Sequence, residues 1–402
     1  MQKHGPVFSA FQVPNDIALP LETLADEGVN SYNSGNWRGA INYLEKALIN
    51  YRMSQHIQSA CGAQCKVADI SKDVGMNFDG NPDLKYVGDL LAEAYCIKLC
   101  KEEHPFGMTN LDPPKQEVID EFETRKIYDY LQFAYFQENQ IKKASQAAQT
   151  FYNFNLNDEH AMDNLNYYKS LPELNSTSAF KDLEAPQFHE LFLEGVKSYE
   201  KGNHEVAVNT IERTLENYFR EFNDCESLCF QPVEQTNFYR FYKAMAQQLI
   251  AKLECSLKCE QKISPVIEGE KLQNFIARCF SYLQFSYHKL GDWGMAIPAA
   301  ASALLLDPES EIADSNMKYF REQGEKLGYD SPLTYNPRSD ALKYHEHVSM
   351  LSELVAKGQW IINHEDEDYV QEDLNVDGDI FSTITDKIVK KIEERLTKEI
   401  TI

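Results

Sequence analysis

EGVNSYNSGNWRGAINYLEKALINY, residues 27–51, returns as EGVKSYEKGNHEVAVNTIERTLENY at residues 194–218. Glu, Gly, Val, Ser, Tyr, Gly and Asn keep their offsets, and Ala40/Ala207, Leu48/Leu215 and Tyr51/Tyr218 follow. A second match sets YLQFAYF (130–136) against YLQFSYH (282–288) and continues through Ala144/Ala296 and Ala147-Ala148/Ala299-Ala300. The offset falls from 167 to 152 between the two matches, so loops shortened while the order of elements held. Repetition of this kind marks an internal duplication.

Inside each half lies a smaller pattern. Gly28, Tyr32, Gly35, Trp37, Ala40, Ile41, Tyr43 and Ala47-Leu48 have the spacing of a tetratricopeptide helix pair. Leu283, Tyr287, Gly291, Trp293, Ala296, Ala300 and Asp307-Pro308 repeat it. Small residues let antiparallel helices approach closely, the large rings fill the gaps between pairs, and Gly35-Asn36 and Gly202-Asn203 supply tight helix–helix turns. The apolar runs follow a 3.6-residue period with no sustained strand alternation, which predicts an all-α chain of roughly ten to twelve helices. Because the weaker pairs do not stand alone, the expected architecture is an irregular tetratricopeptide-like solenoid of two duplicated halves. The expected divisions are a first half at 18–170, a linker at 171–188, a second half at 189–345 and a helical, acidic tail at 346–402. The stretch KSLPELNSTSAFKDLEAPQF (169–188) carries the Pro, Ser, Thr and Asn of a connection. It contains Asn175-Ser176-Thr177, a glycosylation acceptor in a secretory chain.

Eight of the nine cysteines form three-spaced pairs: CGAQC (61–65), CIKLC (96–100), CESLC (225–229) and CSLKC (255–259). Under the duplication, 61 maps to 225 and 96 to 255. On a helix this spacing puts both sulfurs on one face, about 6 Å apart along the axis. Antiparallel packing of two such helices brings the first cysteine opposite the last. That predicts Cys61–Cys100 with Cys65–Cys96, and Cys225–Cys259 with Cys229–Cys255, two rungs clamping each hairpin at a separation that disulfides span. Three other readings stay open: a four-thiolate zinc site in each half, a thiol–disulfide redox centre, and buried free thiols. Cys279, the ninth, aligns with Ile127 and is expected to be a small buried apolar residue. Paired disulfides imply an oxidising compartment.

With 402 residues, 43% apolar and 12% aromatic, the chain has the composition of a globular protein of two or three domains. Its net charge of −24 argues against nucleic acid or an anionic membrane surface as the principal partner. No window is apolar enough for a membrane span. The opening MQKHGPVFSAFQVPND has no signal-peptide core, and the chain ends KEITI, without a retention signal. Retention would then depend on a partner.

In the acidic tail, Asp373, Asn375, Asp377 and Asp379 fit the first half of an EF-hand loop. The twelfth position is Ile384 instead of the bidentate glutamate, which leaves a weak calcium candidate beside the plainer reading of a charged turn. Ile380, Ile384, Ile388, Ile392 and Leu396 mark an amphipathic helix expected to seek a partner or the body of the protein. His364-Glu365-Asp366 matches two-thirds of a facial iron triad, but no histidine follows it. No GxSxG, HExxH or phosphate-cradling glycine loop is present, so no catalytic residue and no cofactor is assigned.

On the four cysteine pairs, YLQFAYF, YYKSLP (167–172), SPVIEG (264–269) and YLQFSYH, the chain resembles the leprecan family over about residues 20–370. The resemblance implies a helical region that in some members, the prolyl 3-hydroxylases, precedes an iron- and 2-oxoglutarate-dependent oxygenase domain. Other members lack that domain and are non-catalytic subunits. By that resemblance the chain is a helper of the endoplasmic-reticulum lumen, in complex with a prolyl 3-hydroxylase and cyclophilin B and acting on unfolded procollagen chains. The competing expectation is the helical region of a prolyl 3-hydroxylase itself. Extended proline-rich chains are recognised by aromatic-lined grooves, and the 44 Tyr and Phe residues supply candidates, although at helical spacing most belong to the core.

Overall fold

The computed structural model describes residues 19–65, 82–103, 114–174, 177–229, 241–267, 269–329 and 331–364. Among them it holds fourteen α-helices and one two-residue-per-strand hairpin, so the chain is all-α as expected. The helix number exceeds the expected range, and two of the helices, Gln116–Glu123 and Glu159–Lys169, are only two to three turns long. The described residues fall into two compact units that divide between Leu183 and Glu184.

The first unit contains α1 (Leu21–Asn33), α2 (Trp37–Gln64), α3 (Pro82–Glu103), α4 (Gln116–Glu123), α5 (Lys126–Gln137), α6 (Ile141–Phe154) and α7 (Glu159–Lys169). α1 packs on α2, α2 on α5, α5 on α6 and α6 on α7. Their apolar faces meet in a core that includes Leu24, Leu44, Ile127 and Leu131, all essentially free of solvent. Within 171–188, two 3₁₀ turns, Pro172–Leu174 and Thr177–Phe180, precede a segment that lies along α6. Ser145 Oγ donates to Ala179 O at 2.7 Å, and the Leu183 amide donates to Thr150 Oγ1 at 2.8 Å. Arg125 Nη1 reaches Asp182 at 3.0 Å.

The second unit contains α8 (Gln187–Glu200), α9 (His204–Leu228), α10 (Phe241–Ile263), the hairpin β1 (Val266–Ile267) and β2 (Glu270–Lys271), α11 (Phe275–Lys289), α12 (Trp293–Leu306), α13 (Glu311–Lys326) and α14 (Ser339–His364). α8 packs on α9, α9 on α11, α11 on α12 and α12 on α13. This is the helix order of the first unit. α14 is an addition that packs along α10 and runs unbroken through residue 346. α12 is apolar nearly all round and is buried accordingly.

The turns follow directly from sequence. Gly35, Gly202 and Gly291 sit at φ near +75°, the left-handed region where a Cβ is costly. The residue after each, Asn36, Asn203 or Asp292, caps the next helix by accepting the amide of Gly39, Val206 or Met295. Gly28 and Gly195 serve a different end. A Cβ on Gly28 would lie 2.4 Å from Leu44 Cδ2, and one on Gly195 2.5 Å from Ile211 Cδ1, so their absence sets how closely each opening pair approaches.

Two duplicated positions show how the units diverge. Glu45 and Glu212 each accept a phenol, from Tyr135 at 2.6 Å and Tyr287 at 2.7 Å. The cation beside them differs: Lys143 of α6 in the first unit, Arg338 just before α14 in the second. Tyr51 and Tyr218 differ in cover. Phe122 of α4 stacks on Tyr51 with centroids 4.9 Å apart, whereas Tyr344 of α14 meets Tyr218 edge-on at 6.2 Å.

Candidate functional site

The eight paired cysteines stand at equivalent places in the two units. Cys61 and Cys225 lie in the last turns of α2 and α9, and Cys65 and Cys229 are the C-caps of those helices. Their partners come from α3 and α10. The structure joins Cys61 to Cys100, Cys65 to Cys96, Cys225 to Cys259 and Cys229 to Cys255. The Cα separations run from 5.6 to 5.8 Å, within the range that bridges two helices without backbone movement. Bonded pairwise, the sulfurs carry no thiolate charge to offer a metal or a substrate. Cys279 is the remaining thiol, fully buried in α11 as Ile127 is in α5. Burial pushes its thiol well above the ordinary range.

A second duplicated feature lies on the surface of each unit. In the first, Tyr32 of α1, Trp37 at the start of α2, and Tyr130 and Phe133 of α5 form a quartet of edge-to-face rings with centroids 5.1–6.0 Å apart. In the second, Tyr199, His204, Tyr282 and Phe285 form the same quartet at the same offsets, with centroids 5.0–5.9 Å apart. A further cluster follows each quartet. Phe136 of α5 meets Tyr167 and Tyr168 of α7, and His288 of α11 meets Tyr319 and Phe320 of α13, again at matching positions. Phe133 is 41% exposed and Phe285 40%.

Polar groups border these rings. Lys126 Nζ lies over the Tyr130 ring and is paired with Asp129, while Arg38 is paired with Glu138 at 2.8 Å. Lys289 Nζ lies over the Phe285 ring. Burial raises the phenols of Tyr32, Tyr130, Tyr199 and Tyr282 above their ordinary value, so they remain neutral O–H donors. Among the described residues, none of these four hydroxyls makes a hydrogen bond.

From sequence the aromatic residues form one undivided pool, because a ring at helical spacing reads as core. The signal that separates the quartets is retention at the 167 and 152 offsets of rings that burial does not require. Asn175 and the calcium candidates Asp373, Asn375, Asp377 and Asp379 lie outside the described residues, as does the amphipathic stretch from Ile380. Among the described residues, no group of three or more His, Cys, Asp or Glu is placed to hold a metal ion. No described helix is long and apolar enough to cross a membrane.

The leprecan family TPR-like repeat region matches residues 20–324. Cartilage-associated protein of Homo sapiens is 32% identical over 365 residues, which cover 91% of this chain and 90% of that protein. Endoplasmic reticulum protein SC65 of Rattus norvegicus is 31% identical over 369 residues, covering 89% and 82% respectively. Prolyl 3-hydroxylase 1 of Homo sapiens is 28% identical, covering 83% of this chain and 46% of the enzyme. The repeat architecture, the four inter-helix disulfides and these matches agree, and the chain belongs to the leprecan family.

Proposed function

We propose that this chain is a non-catalytic scaffold subunit of an endoplasmic-reticulum assembly that hydroxylates prolyl residues of unfolded collagen chains and keeps those chains from premature folding. The observation that carries the reading is similarity within the shared helical region. There the chain is 32% identical to cartilage-associated protein and 31% to SC65, against 28% to prolyl 3-hydroxylase 1. The shared part is the stapled helical region. Four disulfides suit an oxidising lumen, and a relative is named for the endoplasmic reticulum. In this reading the scaffold holds a prolyl 3-hydroxylase and the peptidyl-prolyl isomerase cyclophilin B near one client.

Affinity purification from secretory-pathway extract with disulfides intact tests the proposal. The expected result is co-elution of a prolyl 3-hydroxylase, with procollagen chains and cyclophilin B in the same fraction. Elution with neither enzyme nor collagen contradicts it. Hydroxylation of a prolyl peptide by the purified chain alone contradicts the non-catalytic assignment and favours the reading as part of a hydroxylase.

A further inference from the structure

We infer that each aromatic quartet, with the cluster that follows it, is a docking site for one extended proline-rich segment. The first site is Tyr32, Trp37, Tyr130 and Phe133, and the second is Tyr199, His204, Tyr282 and Phe285. The inference rests on the proposed function for the identity of the client and adds the surface that meets it.

Four features select that occupant. The first is retention: burial does not demand Phe133 or Phe285, yet both half-exposed rings stand at the same place in the two units. Scattered exposed rings need no explanation, whereas contiguous duplicated clusters do. The second is donor–acceptor match. A proline-rich chain presents carbonyl acceptors and few N–H donors, and each quartet presents two neutral phenol donors with no bond to another described residue.

The third feature is charge. In the first unit the nearby cations are engaged with Asp129 and Glu138, and in the second Lys289 is set over a ring. Neither paired cation of the first site is therefore left to attract an acidic ligand, while in the second Arg278 and Glu200, of opposite charge, both stand near Tyr282. The fourth is spacing. The quartet joins α1 to α5 and the next cluster joins α5 to α7, so the two are one helix-to-helix step apart, roughly 8–10 Å. One three-residue turn of an extended proline helix advances about 9 Å. Rings on successive helices thus meet residues one turn apart on the same side of the ligand. α8, α11 and α13 repeat the arrangement in the second unit.

The test is calorimetric titration of the intact chain with a synthetic peptide of Pro-Pro-Gly triplets, too short to form a triple helix. A control peptide is an amphipathic helix of equal length. Wild type is expected to bind the proline-rich peptide, with a change in tryptophan emission from Trp37 and from Trp293, which stacks on Tyr319, and not the control. The Phe133→Ala/Phe285→Ala variant is expected to weaken binding about tenfold. A second variant, Tyr32→Phe/Tyr199→Phe, keeps every ring and removes one donor from each site; a severalfold loss is expected with unchanged circular dichroism. The inference is overturned if wild type does not bind the proline-rich peptide, if it prefers the helical control, or if both variants bind as wild type does. Co-purification of the Phe133→Ala/Phe285→Ala variant with a prolyl 3-hydroxylase is expected to persist. Failure of wild type to recover the enzyme would count against the functional proposal alone.

Discussion

Replacing Cys229 and Cys255 together with alanine is expected to lower the unfolding free energy of the second unit by about 2.5 kcal/mol. Removing Cys225–Cys259 as well should bring the loss to about 6 kcal/mol. The two bonds are nested: the outer spans 34 residues and the inner 26. With the outer bond intact, the inner one closes only the two short three-spaced segments, a ring of about eight residues. Removing both frees the whole excursion between α9 and α10, and that larger entropy returns to the unfolded chain. Urea titration of the two variants measures the difference. Equal midpoints for wild type and the four-alanine variant would show that helix packing alone holds α10 in place.

Arg338 to methionine is expected to cost about 2–3 kcal/mol, although the residue lies at the end of a loop. Its Nη2 donates to Glu212 Oε2 at 2.9 Å and to Asp340 Oδ2 at 2.8 Å, and its guanidinium lies 5.2 Å from the centroid of the Phe280 ring. The side chains of Arg338 and Glu212 are only 18% and 28% exposed, so removal leaves a largely desolvated carboxylate with Tyr287 as its remaining donor. Arg338 to lysine should recover only part of the loss, since an ammonium cannot fork to two carboxylates in one plane. The first unit provides the internal comparison. Lys143 pairs with Glu45 at the equivalent place, but with side chains 52% and 41% exposed, and Lys143 to alanine should cost under about 0.5 kcal/mol. Thermal or urea unfolding of the three variants checks the contrast, and an equal cost at both sites would refute it.

That contrast bears on what the sequence could show. The turns at Gly35-Asn36 and Gly202-Asn203 were legible because their chemistry is local, a left-handed glycine followed by a side-chain cap, and the structure adds a third of the kind at Gly291-Asp292. The all-α class was legible because Gly28 and Ala40 keep helical spacing in both halves. Elements recruited by long-range packing were not legible. Nothing local to Tyr51 or Tyr218 says that one is covered by Phe122 of α4 and the other by Tyr344 of α14. The carboxylates of Glu45 and Glu212 sit at one offset, yet their cations come from different elements, so only the assembled units reveal them.

The aromatic sites illustrate the same limit. Phe133 and Phe136 lie three apart on α5, a spacing that reads as an apolar face. Their separation into two clusters depends on which helices flank α5: Tyr32 of α1 receives one ring, and Tyr167 of α7 the other. The cysteine ladders were the more readable candidate, because three-residue spacing on antiparallel helices admits only one order of pairing that keeps both bonds short.

The scaffold assignment is tested most directly by mixing the purified, oxidised chain with a purified prolyl 3-hydroxylase and measuring co-migration by size-exclusion chromatography with light scattering. The account predicts a stable complex heavier than either component, with hydroxylation of a prolyl peptide seen in the mixture and none from this chain alone. Independent migration of the two proteins, under conditions where each is folded, would contradict it.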